Sequence, residues 1–500
     1  MRRQDLLDQL SRPAHRPWDV LVIGGGAVGL GSALDAVSRG YSTVLLEQHD
    51  FCKGTSSRST KLIHGGVRYL RQGQLSLVRE ALQERARLLH NAPTIVKPLR
   101  FLIPCFSTRE RLYYALGMKC YDALSGRLGI GGSRQLSTDQ MRQAIPSLGS
   151  PTLRGGVAYH DAQFDDAQLA LAIAQTFLAR GGVPLNYVRV DALKQQQGKI
   201  AGVRAVNQET GQTYDISAKV VVNATGVFSD NIRRLEDSSA PAMISPSQGI
   251  HLVVERRFLG GDDALMIPKT KDGRVLFAIP WLGRLVLGTT DTPVDRATME
   301  PTPLAQEVDY LLDHLADYLN PAPQRADICS VFAGLRPLVK PPRRSADTAS
   351  ISREHRILVS EGGLVSVLGG KWTTYRRMAE EVIDQAAHVA DLPRQSSGTR
   401  ELRLDDNTVT RSVDGLASPT FRPTRSDVRD AVTYQFARTV EDVLARRHRC
   451  LLLDAAESIG YAREVAQVIA EQLNRDPSWI ETQVRAYSQL AASYALKSVS

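Results

Sequence analysis

A chain of 500 residues with 43% hydrophobic and 23% charged positions is long enough for two or three domains, and its make-up is that of an ordinary globular protein. The formal charge of +9 suits an anionic substrate, an anionic membrane surface or nucleic acid, and equally a plain soluble surface. Cys52, Cys105, Cys120, Cys329 and Cys450 form no Cys-x-x-Cys pair, which argues for a reducing compartment and against a disulfide framework or a thiolate metal site, so no metal is expected. Residues 1–17 lack the apolar core of a signal peptide and no apolar run reaches membrane-spanning length, so any membrane contact is expected to be peripheral.

Residues 1–18 read as a polar arm. Residues 20–23, Val-Leu-Val-Ile, predict a strand buried on both faces. Gly24, Gly26 and Gly29 then fill a G-x-G-x-x-G turn. A helix is expected over 27–39, with Leu30, Ala33, Leu34 and Val37 on one face, and a second strand over 43–46 ends in Glu47. Each glycine has a job: a tight turn, close approach of a pyrophosphate, and close packing of helix on strand. The helix N-terminus offers free N–H groups to phosphate. Glu47 is placed to accept from ribose hydroxyls and to repel a 2′-phosphate. Strand, glycines, helix, strand and acid in this order predict a dinucleotide site.

Residues 51–70 are dense in small, hydroxyl and basic side chains, a composition suited to phosphate rather than to a core. A charged amphipathic helix follows over 74–90. Residues 97–127 mix Lys97, Arg100, Arg109, Arg111, Lys119 and Arg127 with Phe101, Phe106, Tyr113, Tyr114, Leu116 and Tyr121. That mixture fits either an interfacial element on anionic lipid or a surface helix with one side on the core. Phe164-Asp-Asp166 precedes a helix over 167–179. Residues 217–226 form a buried strand ending in Ala224-Thr225-Gly226, so far from the first fingerprint that the nucleotide domain must be discontinuous.

Antiparallel strands are expected at 251–254, 275–279 and 285–291, and a helix over 306–319. Residues 331–338 read as a strand and turn with Arg336 at its end, and 343–350 as a mobile loop. Another strand over 364–368 runs into Gly369-Gly370 and a helix to 387. Residues 391–425 read as a linker, and 427–444, 451–458, 462–473 and 479–496 as helices of a separate domain. The run 446–449, Arg-Arg-His-Arg, reads as a solvated face, with lipid phosphates or a second subunit as alternatives.

Several stretches carry a resemblance: residues 24–47, Thr55-Ser-Ser-Arg-Ser-Thr-Lys-Leu-Ile-His-Gly-Gly-Val-Arg-Tyr-Leu70, Asn223-Ala-Thr-Gly226, Gly288-Thr-Thr-Asp291, Gly334-Leu-Arg-Pro337, Gly369-Gly-Lys-Trp-Thr-Thr-Tyr-Arg376 and residues 439–447. Together the chain resembles the FAD-dependent sn-glycerol-3-phosphate dehydrogenases, over nearly everything beyond residue 18. Trp372 departs from the family, which usually has Leu there; its bulk is expected to alter packing near the flavin. The resemblance implies an α/β fold class, with a Rossmann-like FAD-binding domain of the glutathione-reductase/D-amino-acid-oxidase type interleaved with an antiparallel-sheet substrate domain. That unit spans 19–390, with the substrate sheet mainly in 70–150 and 245–340, and a C-terminal helical cap covers 426–500.

The same resemblance implies FAD contacts from Gly24, Gly26, Gly29, Glu47, Thr55, Ser56, Ser57, Lys61, Leu62, His64, Gly65, Gly66, Ala224, Thr225, Gly226, Gly370, Lys371 and Thr373. Residues 55–57 also read as a simple helix cap. It implies a substrate site of Arg68, Tyr69, His251, Arg336, Lys371 and Thr374, with His251, Arg336 and Lys371 catalytic. His251 is expected as the base, because a neutral imidazole accepts a proton near neutral pH; its alternative is a structural hydrogen bond. Arg336 suits phosphate as a planar fork, or serves as a structural ion pair. The expected reaction is oxidation of sn-glycerol 3-phosphate to dihydroxyacetone phosphate, with electrons passed to a membrane quinone. Expected partners are an anionic lipid surface and a second copy of the chain, since dimers occur in the family. The expected location is the cytoplasmic face of the inner membrane. An oxygen-dependent α-glycerophosphate oxidase is the nearest rival, and a flavin-binding regulatory protein without turnover a remoter one. No motif supports nucleic-acid binding.

Overall fold

The protein is described by a computed structural model covering residues 3–11, 16–71, 73–268, 270, 273–340, 355–405 and 422–496. The expected loop at 343–350 and the expected linker residues 406–421 lie outside the described residues, as does part of the N-terminal arm.

The first sheet forms around the apolar strand Trp18–Ile23. Thr43–Leu46 pairs with it in parallel on one side and Thr213–Asn223 on the other, with Val20 opposite Thr43 and Val220. Val183–Leu185 and Val365–Leu368 extend the parallel set, and Arg356–Val359 adds an antiparallel edge. Helices Ala27–Ser38, Asp166–Ala179 and Tyr375–Val389 cover one face, burying Leu30, Leu34, Ile173, Phe177, Val382 and Ile383. Strands Val188–Gln196 and Lys199–Asn207 form a meander with Thr213–Asn223 toward the other face. The N-terminal residues are more than a polar arm: Leu6, Leu7 and Leu10 of helix Arg3–Asp8 and the turn after it are buried against that face. A strand that returns some 200 residues later beside the first makes the nucleotide unit discontinuous in sequence.

The second sheet is antiparallel for most of its width. Its longest pairing joins Ile244–Glu255 to Ile328–Val339, and Arg284–Gly288, Leu276–Trp281, Ala264–Ile267, Val96–Pro104 and Gly156–Phe164 follow in order. Alternation assigns its faces. Leu252, Val254, Leu285 and Leu287 pack beneath helix Ala305–Ala316, whereas Val253, Val286 and Phe332 face the C-terminal helices. His251 lies two residues from Val253, on that second face.

The C-terminal helices run Arg425–Tyr434, Asp442–Arg447, Cys450–Leu453, Ala455–Ile459, Ala462–Leu473 and Pro477–Tyr494. The single helix expected over 427–444 breaks after Tyr434. Phe436 takes a positive φ of 60°, its carbonyl accepts from Asn186, and its ring meets Phe51 edge-on at 5.3 Å. That tertiary docking outweighs the local helical pattern. The expected solvated face at 446–449 is corrected: Arg446, Arg447 and Arg449 are 3%, 1% and 1% exposed. Arg446 Nε lies 2.5 Å from Asp50, Arg447 Nη2 2.9 Å from Asp50, and Arg449 Nη2 2.7 Å from Asp166. Their partners stand on the nucleotide unit, hundreds of residues away in sequence. Lys53 reaches Glu441 at 2.6 Å and completes the seam.

Removing one partner of such a buried pair leaves a stranded charge, which costs far more than the net worth of the pair. Burial pushes the Glu441 carboxyl up, but Arg446 and Lys53 outweigh it and hold it at about 2, below its ordinary 4.5. A carboxyl depressed in the folded state stabilises above its unfolded value, and that contribution is lost as pH falls toward the folded value. The thermal unfolding temperature should therefore drop as pH is lowered from about 4.5 to about 2, and Glu441→Gln should flatten that dependence while lowering stability at neutral pH.

Candidate active site

One elongated cavity of about 620 Å³ runs from the glycine turn to the antiparallel sheet. At the turn, Gly24 has φ +107°, and a Cβ there would sit 2.7 Å from the Ala224 carbonyl oxygen. A Cβ on Gly29 would overlap the Gly24 carbonyl oxygen, so helix and strand meet at this spacing only with glycine present. Ala224 N–H donates to Ile23 at 2.9 Å, which sets Ala224, Thr225 and Gly226 beside the turn. The Ala27 N–H is already taken by Ser56 Oγ at 3.0 Å, so Ser56 caps this helix from across the chain. Glu47 accepts from the Gly25 and His49 N–H groups at 2.7 and 2.8 Å, and with Gln48, Val188 and Val190 it lines the same end of the cavity. Two N–H groups hold the carboxylate in place and leave its remaining lone pairs for hydroxyls.

The segment 55–66 forms the middle wall. Thr55 Oγ1 donates to Leu335 O at 2.6 Å and His64 N–H to Thr373 Oγ1 at 3.3 Å. Trp372, the departure from the family, is 9% exposed; its Nε1 donates to Ser56 O at 2.8 Å and its ring meets Phe164 and Tyr375 edge-on. The indole therefore pins the 55–57 turn. Thr55, Ser56, Leu62, His64, Gly66, Gly370, Lys371 and Thr373 line the cavity. Gly29, Ser57, Lys61 and Gly65 do not. The Lys61 ammonium is fully buried, 2.6 Å from Asp166 and 2.8 Å from Ser57 O, and burial lowers its pKa to about 8. Gly65 lies under Tyr121, whose hydroxyl accepts from the Gly65 N–H at 2.8 Å.

At the sheet end, His251 and Arg336 stand on neighbouring strands and both line the cavity. His251 Nε2 is 2.9 Å from Thr60 Oγ1, and its ring stacks on Phe332 at 4.8 Å. Burial, then Lys61 and Arg336, hold the imidazole well below its usual value, so it is neutral. Arg336 does not close its strand as expected but lies within Ile328–Val339, opposite Ser247. Its Nη2 donates to Thr290 O at 2.9 Å and Thr289 Oγ1 at 3.2 Å, and Nη1 lies 3.4 Å from Asp291. Both expected readings meet here: a structurally anchored guanidinium that also faces the cavity. Lys371 Nζ lies 3.9 Å from the Tyr69 ring centroid, a cation–π contact that holds the ammonium over the site. Tyr69 lines the cavity from helix Val67–Arg71; the side chain of Arg68 on the same helix lies outside the described residues, and Thr374 does not line the cavity. Thr60 and Asp166 stood inside segments read from the sequence, but only the fold brings them to the site.

Residues 19–376 match the model of FAD-dependent oxidoreductases, and residues 365–479 that of the C-terminal domain of α-glycerophosphate oxidase. The chain belongs to the FAD-dependent oxidoreductases. Its cofactor is FAD, and the glycine cradle, the Glu47 end and the long cavity fit a dinucleotide of that size. The chain is 43% identical over 409 residues to an Arabidopsis thaliana mitochondrial glycerol-3-phosphate dehydrogenase, covering 79% of this chain and 65% of that protein. It is 43% identical over 402 residues to the human mitochondrial enzyme, covering 77% and 55%. The match thus spans less than two thirds of these curated relatives. A structure of glycerol-3-phosphate dehydrogenase from Bacillus halodurans complexed with FAD matches at TM-score 0.78 and 28% identity, over 99% of this chain and 97% of that one. An L-α-glycerophosphate oxidase from Mycoplasma pneumoniae shares the fold at TM-score 0.59 and 16% identity, over 78% and 99%.

Gly29→Ala should abolish flavin retention, because no relaxation of a flexible side chain relieves a clash with backbone. Flavin absorbance per chain in the purified variant, with circular dichroism to report folding, checks this; a fully flavinylated Gly29→Ala contradicts it.

Proposed function

We propose that this flavoprotein oxidises sn-glycerol 3-phosphate to dihydroxyacetone phosphate and passes the electrons to a membrane quinone. The observation that carries the reading is that Arg336, Lys371 and neutral His251 line the same cavity as the dinucleotide cradle. The names of the relatives agree with it. Bound FAD supplies a two-electron acceptor for the C2 hydride. In this reading Arg336 and Lys371 attract the phosphate or the C2 oxygen as it becomes a carbonyl, Arg68 and Tyr69 complete the anion site, and His251 receives the hydroxyl proton. Cations already anchored by Thr290 and by the Tyr69 ring lose little freedom on binding an anion. Phe101, Tyr159, Met266 and Phe277 wall the same cavity, and an apolar side of this kind suits a quinone ring.

The lipid reading draws on helix Thr108–Ser125. Leu112, Tyr113 and Leu116 on it are 65%, 59% and 66% exposed, and Arg109, Lys119 and Arg127 stand exposed around them. Solvent is an expensive neighbour for such a cluster, and an anionic membrane surface satisfies both the apolar and the basic side chains. Among the described residues no helix is long and apolar enough to cross a membrane, which agrees with peripheral contact. The division of the chain follows the same reading: a discontinuous FAD and substrate unit over 19–390 and a helical cap over 426–500.

Anaerobic glycerol 3-phosphate should bleach the oxidised flavin, a quinone analogue should restore it, and little peroxide should form in air. A flavin that stays oxidised overturns the substrate; abundant peroxide reassigns the acceptor to oxygen. Vesicles containing anionic lipid should sediment the protein, and Leu112→Glu with Leu116→Glu should release it without changing the bleaching; unchanged sedimentation overturns the lipid reading.

A further inference from the structure

We infer that Thr60 is a catalytic residue: its hydroxyl meets the substrate's reacting oxygen and passes the proton on to His251. The inference rests on the reading of this site as one for a secondary alcohol beside flavin, and it names an atom that reading leaves open.

Thr60 and His251 both line the cavity, and Thr60 Oγ1 lies 2.9 Å from His251 Nε2. The other ring nitrogen, Nδ1, is buried and has no hydrogen-bond partner among the described residues. The ring is not free to swing. Phe332 stacks on it with planes 16° apart, and Gly288 lies so close that a Cβ there would overlap the imidazole Cδ2. A neutral imidazole has one in-plane lone pair. When that lone pair is on Nε2, it is occupied by the Thr60 hydroxyl; when it is on Nδ1, it is buried away from solvent. Thr60 Oγ1 donates one hydrogen and keeps two lone pairs. The imidazole therefore communicates with an alcohol in the cavity through that oxygen.

Thr60 is held at this post by its neighbours. Ser59 donates to Asp166 from its N–H at 3.1 Å and its hydroxyl at 2.7 Å, and the Lys61 ammonium sits 2.6 Å from the same carboxylate. Lys61 turns the chain with φ +63°. With both flanking residues drawn to the buried carboxylate, Oγ1 is fixed against the imidazole edge.

The step balances as follows. The C2 hydroxyl proton moves to Thr60 Oγ1 as the Thr60 proton moves to Nε2. Bound FAD would be the oxidant that takes the C2 hydrogen with its electron pair, leaving C2–O as a carbonyl. The alcohol loses two electrons and two hydrogens; one travels as hydride and the other rests as a proton on His251. Lys61 and Arg336 flank the resulting imidazolium and favour loss of that proton afterwards.

Stopped-flow reduction of the flavin by glycerol 3-phosphate, in anaerobic holoenzyme, tests this with wild type, Thr60→Val and Thr60→Ser. Thr60→Val should keep its flavin and bind substrate within about threefold of wild type, yet lose roughly a hundredfold or more in limiting reduction rate. Thr60→Ser, which restores the hydroxyl, should stay within about tenfold of wild type. Thr60→Ala gives the same comparison if the valine variant loses flavin. Equal rates for wild type and Thr60→Val, or a loss explained entirely by weaker binding, overturn the relay alone. A wild-type flavin that glycerol 3-phosphate does not reduce overturns the substrate reading and the relay with it.

Discussion

The buried carboxylate of Asp166 is the point on which the site depends. It accepts from Ser59 of the cavity wall, from Lys61 behind it and from Arg449 of the C-terminal helices, all within 3.1 Å. Placing an anion here without partners would be prohibitive, and two cations and a hydroxyl repay the cost only when all are in position. Burial favours the neutral acid, but Lys61 and Arg449 outweigh it and hold Asp166 below the usual carboxylate range. The same carboxylate thus shapes the turn that presents Thr60 and ties that turn to a unit distant in sequence.

This arrangement makes the C-terminal helices part of the site's construction. Arg449 donates to Ser57 O at 3.0 Å, and Lys61 donates to the same carbonyl. Trp281 and Phe332 of the antiparallel sheet lie under the Lys61 ammonium, each with its centroid 5.2 Å away. Phe332 carries the His251 ring on its face. Nucleotide unit, sheet and helical cap therefore converge on one small volume behind the imidazole, and a change in the docking of the cap reaches the cavity through few bonds.

Much of this was legible in the sequence where the signal is local. The glycine turn, its strand and helix, and the distant Ala224-Thr225-Gly226 strand follow from periodicity and from the steric need for glycine. His251, Arg336 and Lys371 all line the cavity, and their residue types alone suggest an anion and a proton acceptor. What escaped depends on partners far along the chain. A run of Arg at 446–449 is indistinguishable from a solvated face until Asp50 and Asp166 are seen opposite it. Lys61 sits among phosphate-seeking residues in sequence but turns inward, because Asp166 outcompetes the cavity for it. The break after Tyr434 is set by the seat of Phe436 against Phe51, a contact no helical pattern encodes.

Hydrogen exchange on the Asp166→Asn holoenzyme tests the coupling most directly. The neutral amide cannot satisfy Lys61 and Arg449 together. The account predicts that amides in 57–62 and in 446–453 lose protection in concert, that flavin is retained less tightly, and that the strands of the parallel sheet stay protected. Loss confined to one of the two segments, or unchanged protection in both, would contradict the claim that one carboxylate holds the cavity wall and the helical cap together.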